Sequence, residues 1–92
     1  MQKIETQDLQ RRATSTAAAL LDEARAREFI VSADGRVGDA DAARLVGLAP
    51  ESMRNLRSAG DAPPHYLVGV GGSRISYRVA DLAVWLEKFR SP

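Results

Sequence analysis

The chain has 92 residues, with 13 lysines and arginines against 12 aspartates and glutamates, a single histidine and no cysteine. That length allows one small domain. The lack of cysteine excludes disulfides and thiolate metal sites, and one histidine excludes a zinc finger or a histidine-based triad within one chain. A net charge of +1 excludes a general cationic coat for nucleic acid, although binding depends on the local field at a contact surface.

Residues 6–28 read as a long helix. Thr6 is the expected cap, and Asp8 sits in the first turn, where a negative charge suits the helix dipole. Leu9, Ala13, Ala17, Leu20 and Ala24 recur every three or four residues and form one narrow, alanine-rich apolar stripe. No apolar run approaches the roughly 20 residues needed to span a bilayer. The N-terminus lacks the basic-then-apolar pattern of a secretion signal. A reduced, cytoplasmic setting is the expectation.

Phe29-Ile30-Val31 is a short β-prone run, and Asp34-Gly35 marks a turn. Asp39 is the expected cap of a helix over Ala40–Val46, stopped by Gly47, with Leu48 plugging the core from the turn. Pro50 suits the first position of the next helix, where its missing N–H costs nothing. Met53 and Leu56 face inward together, and Gly60 ends the helix in a left-handed cap. Asp61-Ala62-Pro63-Pro64 forms an extended connector.

Tyr66–Val70 reads as a strand, Gly71-Gly72-Ser73 as the turn and Arg74–Arg78 as the return strand. The alternation of Leu67 and Val70 against Ile75 and Tyr77 is imperfect, and Gly69 suggests a bulge. Asp81 opens a final helix whose expected inward face is Leu82, Trp85, Leu86 and Phe89. Trp85 and Tyr77 are expected in the core, and His65 in a loop as a structural or exposed residue.

Two short helices around a tight turn, followed by a ribbon, present a polar helix face. The major groove, about 12 Å wide, accepts one such helix. Arg pairs bidentately with guanine and Asn with adenine. Residues 50–58 carry Glu51, Ser52, Arg54, Asn55, Arg57 and Ser58 around the turn left free by Met53 and Leu56. Glu51 can accept from cytosine, but stabilisation of the helix dipole accounts for it more simply. Gly71-Gly72 keeps the ribbon tip thin, so that Ser73 and Arg74 reach a DNA edge, with Arg78 on the same strand face. The run Gly69–Gly72 imitates a phosphate-binding glycine loop, yet no helix opens after it as such a loop requires.

From Val37 to Phe89 the chain resembles the MerR-like winged-helix family of phage excisionases, AlpA-type prophage regulators and related small proteins. The resemblance rests on Ala42–Leu48, on Pro50 with Ser52–Arg57, and on Gly60 with Pro63-Pro64. It continues through the hairpin Gly71–Arg78 and Asp81–Leu86. It implies that Ser52, Arg54, Asn55 and Arg57 face the major groove and that Ser73, Arg74 and Arg78 lie along the wing. Leu56 stands where the family often has an aromatic residue, and Ala49 and Ala80 where serine is common.

The expected fold is mainly α with a small β-hairpin: a winged helix-turn-helix over 37–92, preceded by an extra N-terminal helix and connector over 1–36. The expected function is sequence-specific binding of double-stranded DNA without catalysis, cofactor or metal, as a transcriptional regulator of bacterial, prophage or phage origin. The expected contacts are Glu51, Ser52, Arg54, Asn55 and Arg57 on the recognition helix and Gly72, Ser73, Arg74 and Arg78 on the wing. Three other roles fit the same pattern: an excisionase that bends DNA, a small terminase subunit that recognises DNA for packaging, and a protein-interaction module without DNA affinity. The N-terminal stripe either packs on its own domain or pairs two copies. Pairing is favoured because a dimer doubles the contacts on a palindromic site.

Overall fold

The computed structural model describes residues 2–91, with side chains from Thr6 onward. A long helix, α1 (Gln2–Ala26), is followed by a short strand β1 (Arg36–Gly38) and two helices, α2 (Asp39–Leu45) and α3 (Pro50–Ala59). A hairpin of β2 (Tyr66–Val68) and β3 (Arg74–Arg78) and a last helix α4 (Val79–Glu87) complete the chain. The fold is mainly helical, with one small antiparallel sheet in the order β1-β3-β2. None of the described helices is long and apolar enough to cross a membrane.

Three helices end with the same device. A residue one or two positions past each takes a left-handed conformation, and the next N–H turns back to a carbonyl inside the helix. In α2 this is Gly47 (φ 84°), with Leu48 N–H donating to Ala43 O at 2.8 Å. In α3 it is Gly60 (φ 80°), with Asp61 N–H donating to Leu56 O at 2.9 Å. In α1 the same position falls on Glu28 (φ 59°), and Phe29 N–H reaches Ala24 O at 2.8 Å. This bond explains why the β-prone run Phe29–Val31 forms no strand. The end of α1 claims its first N–H and turns Phe29 and Val31 against the core, leaving Ile30 87% exposed.

The helix starts depart from expectation. α1 begins before Thr6, which therefore lies within the helix instead of capping it. Gly38 occupies the cap position of α2, and Asp39 is the first helical residue, favoured there by the dipole and not by a side-chain cap. Pro50 opens α3 as expected.

β1 is the element that the sequence hid, since three residues carry no readable alternation. Its register pairs Arg36 with Arg78, Val37 with Tyr77 and Gly38 with Ser76. Successive strand residues face opposite ways. Val37 and Tyr77 thus share the inward face, and Arg36, Ser76 and Arg78 the outward one. On the hairpin's other side Tyr66 pairs with Ser76 and Val68 with Arg74. The strand expected over Tyr66–Val70 stops at Val68. Leu67 and Val70 do not reach the core, and Val70 is 94% exposed at the tip.

The core joins Ala13, Leu20 and Ala24 of α1 to Val37, Ala42, Ala43, Met53, Tyr77, Val79, Leu82 and Ala83. The helix read as a separate unit over 1–36 thus shares one core with the rest of the chain. Its stripe packs along α4. There Arg12 Nε (3.1 Å) and Thr16 Oγ1 (3.0 Å) both donate to the Glu87 carboxylate and fix the register of the two helices. Pairing of two copies through α1 would have to use its opposite side, the exposed Gln7, Arg11, Thr14 and Ala18.

Trp85 is only half-buried. It donates its indole N–H to Asp61 O at 3.2 Å and stacks edge-on against Phe89, which is largely exposed and not on the inward face expected for it. The helix instead turns Val79, Leu82 and Ala83 inward. Pro63, expected in an extended connector, is fully buried.

Two stability predictions follow from this packing. Leu82→Ala, at a fully buried position, should lower unfolding free energy in urea by about 2–5 kcal/mol. Glu28→Gly should raise it by about 0.5–1 kcal/mol with an unchanged denaturant slope, because glycine accepts the left-handed conformation without Cβ strain. A destabilising Glu28→Gly result would show that the side chain of Glu28 matters more than its backbone.

Candidate nucleic-acid interface

α3 is fixed from beneath by Met53, which is fully buried, and by Leu56, which packs against the core. A four-residue connection, Val46 to Ala49, joins it to α2. Its other side carries Glu51, Ser52, Arg54, Asn55 and Ser58, all exposed. None of these side chains makes a hydrogen bond or ion pair with another described residue. The donors and acceptors of this helix face are therefore open to solvent.

Arg57, expected on the same face, is turned inward. Its guanidinium pairs with the Asp39 carboxylate at the start of α2 and donates to the Tyr77 hydroxyl of β3 at 2.9 Å. The side chain is 13% exposed. Burial works against the guanidinium's charge, but the hydrogen bonds it donates to Tyr77 and Asp39 outweigh this and hold the pKa above its ordinary value. Burial also raises the pKa of the Tyr77 phenol, and Arg57 only partly offsets this. Both groups therefore keep their protons across the physiological range, and the link between α3, α2 and the sheet is permanent there. The sequence signal for this was the Asp39–Arg57–Tyr77 set itself, which is invisible until the chain folds.

The hairpin tip is built by backbone. Gly69, Gly71 and Gly72 all have positive φ, and a Cβ on Gly72 would stand 3.1 Å from that of Leu67. Glycine at position 72 thus lets the turn close over Leu67. Ser73 and Arg74 follow at the tip, exposed and without partners among the described residues.

Arg78 stands four residues further on, about 13 Å along the strand, and on the same outward face. It is not free. Its Nη2 lies 3.4 Å from Asp34 Oδ2, and its guanidinium lies 5.5 Å from the Tyr66 ring centre. Arg36 holds the same carboxylate through Nε at 2.9 Å to both oxygens. Ser32 Oγ donates to Asp34 Oδ1 at 2.5 Å. The Ser32 hydroxyl and the two guanidiniums hold the pKa of Asp34 far below the usual carboxylate range.

The four arginines expected at the contact surface therefore divide in two. Arg54 and Arg74 are exposed and uncommitted, whereas Arg57 and Arg78 are held by carboxylates. His65 lies in the loop before β2, with Nδ1 3.0 Å from Pro63 O and its ring 5.6 Å from that of Tyr77. No protein-family model, curated protein or solved structure matches the chain.

Arg57→Ala should cost about 1–3 kcal/mol of stability, since it leaves the Asp39 carboxylate and the Tyr77 hydroxyl without their partner. Arg57→Lys should recover only part of this, because a lysine Nζ stops one bond short of the Nη1 that meets both groups. Asp34 sets a pH signature. Its folded-state pKa is depressed, so its contribution is full above the ordinary carboxylate pKa near 4 and fades as pH falls below that. Asp34→Asn should therefore be less stable than the parent at pH 7, and the two should converge in acid. A constant difference from pH 7 to pH 2 would show that the charge of Asp34 is not what holds the turn.

Proposed function

We propose that this protein binds double-stranded DNA in a sequence-specific manner through a winged helix-turn-helix, without catalysis, and acts as a transcriptional regulator. α2 and α3 form the helix-turn-helix, α3 is the recognition helix, and the β2–β3 hairpin is the wing. The observation that carries the reading is the row of unpaired polar side chains on α3, above a buried Met53 and beside a connection of four residues. A helix held on one side and polar on the other is the shape that a major groove takes.

In this reading Arg54 and Asn55 read base edges, Ser52 and Ser58 hold phosphates, and Glu51 serves the helix dipole. Ser73 and Arg74 meet the backbone at the wing tip, where the glycines bring the main chain close. Arg57 sets the angle of α3 and does not touch DNA. A near-neutral chain suits such a division, because two free arginines supply local attraction without coating the molecule in charge.

Selection of bound duplexes from a random pool tests the proposal. A consistent site should emerge, and affinity for it should fall steeply as salt rises. Arg54→Ala should cost about 1–3 kcal/mol on that site and relax its sequence at one position. Arg74→Ala should weaken all sequences alike and flatten the salt slope by about 1. Recovery of no consistent site, with Arg54→Ala binding as the parent does, would overturn the reading.

A further inference from the structure

The outward face of the sheet carries an arrangement that the α3 surface does not use. Arg36 of β1 and Arg78 of β3 sit side by side in register. Both guanidiniums lie against the ring of Tyr66 on β2, at 5.2 and 5.5 Å from its centre, which limits their freedom. Arg36 Nη1 is further anchored to Ser76 Oγ at 2.9 Å. The donors converge on one point, and that point holds the carboxylate of Asp34. It receives Arg36 Nε twice at 2.9 Å, the Ser32 hydroxyl at 2.5 Å and Arg78 Nη2 at 3.4 Å.

The arrangement has donor capacity to spare. Arg78 Nε is buried and has no hydrogen-bond partner. The 3.4 Å contact of Arg78 with Asp34 is long for a charge-assisted bond, which prefers about 2.7–2.9 Å. A planar carboxylate on a short aspartate arm serves Arg36 fully and Arg78 poorly. A tetrahedral anion with more acceptor oxygens satisfies two guanidiniums and a hydroxyl together. Asp34 and Arg78 are each 43% exposed at the side chain, so the place is open to solvent.

We propose that Arg36, Arg78 and Ser32 form a phosphate-binding site whose ligand position is filled, in the free protein, by the chain's own Asp34. The carboxylate stands where a phosphate group would and competes with it. It keeps the outward face from attracting phosphate indiscriminately, and a phosphate that gains enough elsewhere displaces it. For the phosphodiester of DNA, this deepens the reading of the wing given above and rests on it. A free phosphate group has the same chemistry and needs no DNA.

Two measurements test this on the whole chain. In the first, arginine Nε–H resonances are followed by NMR as inorganic phosphate is added to the parent and to Asp34→Asn. Asparagine is a residue that turns accept, so the variant removes the charge at the stability cost predicted above while the domain stays folded. Saturable shifts at Arg36 and Arg78 should appear at lower phosphate concentration in the variant. In the second, duplex binding is measured against salt for the parent, Asp34→Asn, Asp34→Asn/Arg36→Gln and the control Asp22→Asn on exposed α1. Asp34→Asn should bind roughly fivefold more tightly at low salt and steepen the salt slope by about one, and Arg36→Gln should abolish this gain.

Phosphate shifts with a duplex gain support the site and assign the nucleic-acid backbone as its ligand. Phosphate shifts without that gain support the site with free phosphate as its ligand. Shifts that appear while the parent binds no duplex at all sink the DNA reading and leave the site standing. The proposal is overturned if neither arginine responds to phosphate in Asp34→Asn and its duplex gain either equals that of Asp22→Asn or survives Arg36→Gln.

Discussion

The contact of Arg57 with Asp39 and Tyr77 is the constraint on which the arrangement of this protein depends. It adds a polar link to three elements that already share the core: the start of α2, the last turn of α3 and the central strand of the sheet. α3 is only ten residues long and has one fully buried side chain, Met53. Apolar burial of that size holds the helix in place but does not fix its rotation. Nη1 of Arg57 adds that constraint, because it must meet two acceptors on different elements at once. Tyr77 passes the constraint on, since it is fully buried and pairs in register with Val37 of β1.

The rest of the molecule is organised around keeping that unit in place. β3 is flanked on both sides, so its outward and inward faces are well separated. The inward face is apolar except for the phenol that meets Arg57. The outward face carries arginine, serine, tyrosine and Val68, its charge neutralised in part by one aspartate from the preceding turn. α1 lies along α4 and closes the core from the other end, with Glu87 holding two of its side chains. Ala13, Leu20 and Ala24 of this long first helix enlarge a core that is otherwise small. Its alanines allow close approach to α4 without bulky side chains.

The proposed contact surface gains its character from what is left unpaired. Most arginines that are near an acid in space have taken it as a partner: Arg12, Arg27, Arg36, Arg44, Arg57 and Arg78. Arg54 and Arg74 have none among the described residues. Arg11, Arg25, Lys88 and Arg90 also lack an acidic partner there, but among the arginines of α3 and the hairpin only Arg54 and Arg74 are free, which leaves local positive potential on that surface. Reading that surface as a DNA interface remains the proposal made above, and it is the free arginines, not the total charge, that support it.

The sequence by itself determined the local structure. Pro50, Gly47 and Gly60 bounded two helices, the glycine run placed the hairpin tip, and the period of Leu9, Ala13, Ala17, Leu20 and Ala24 defined the buried side of α1. These are short-range effects of backbone dihedrals and side-chain period, so neighbouring residues suffice to reveal them. Tertiary structure alone decided which arginines are free, that β1 adds a third strand, that Phe29 ends a helix instead of starting a strand, and that Trp85 sits at the edge while Pro63 lies inside. Arg57 is committed by Asp39, 18 residues away, Trp85 is tied to Asp61, 24 away, and Phe29 is claimed by a hydrogen bond that competes with its strand propensity. A guanidinium looks the same in the sequence whether it faces solvent or an acid brought to it by the fold, because its role is set by distance in space and not along the chain.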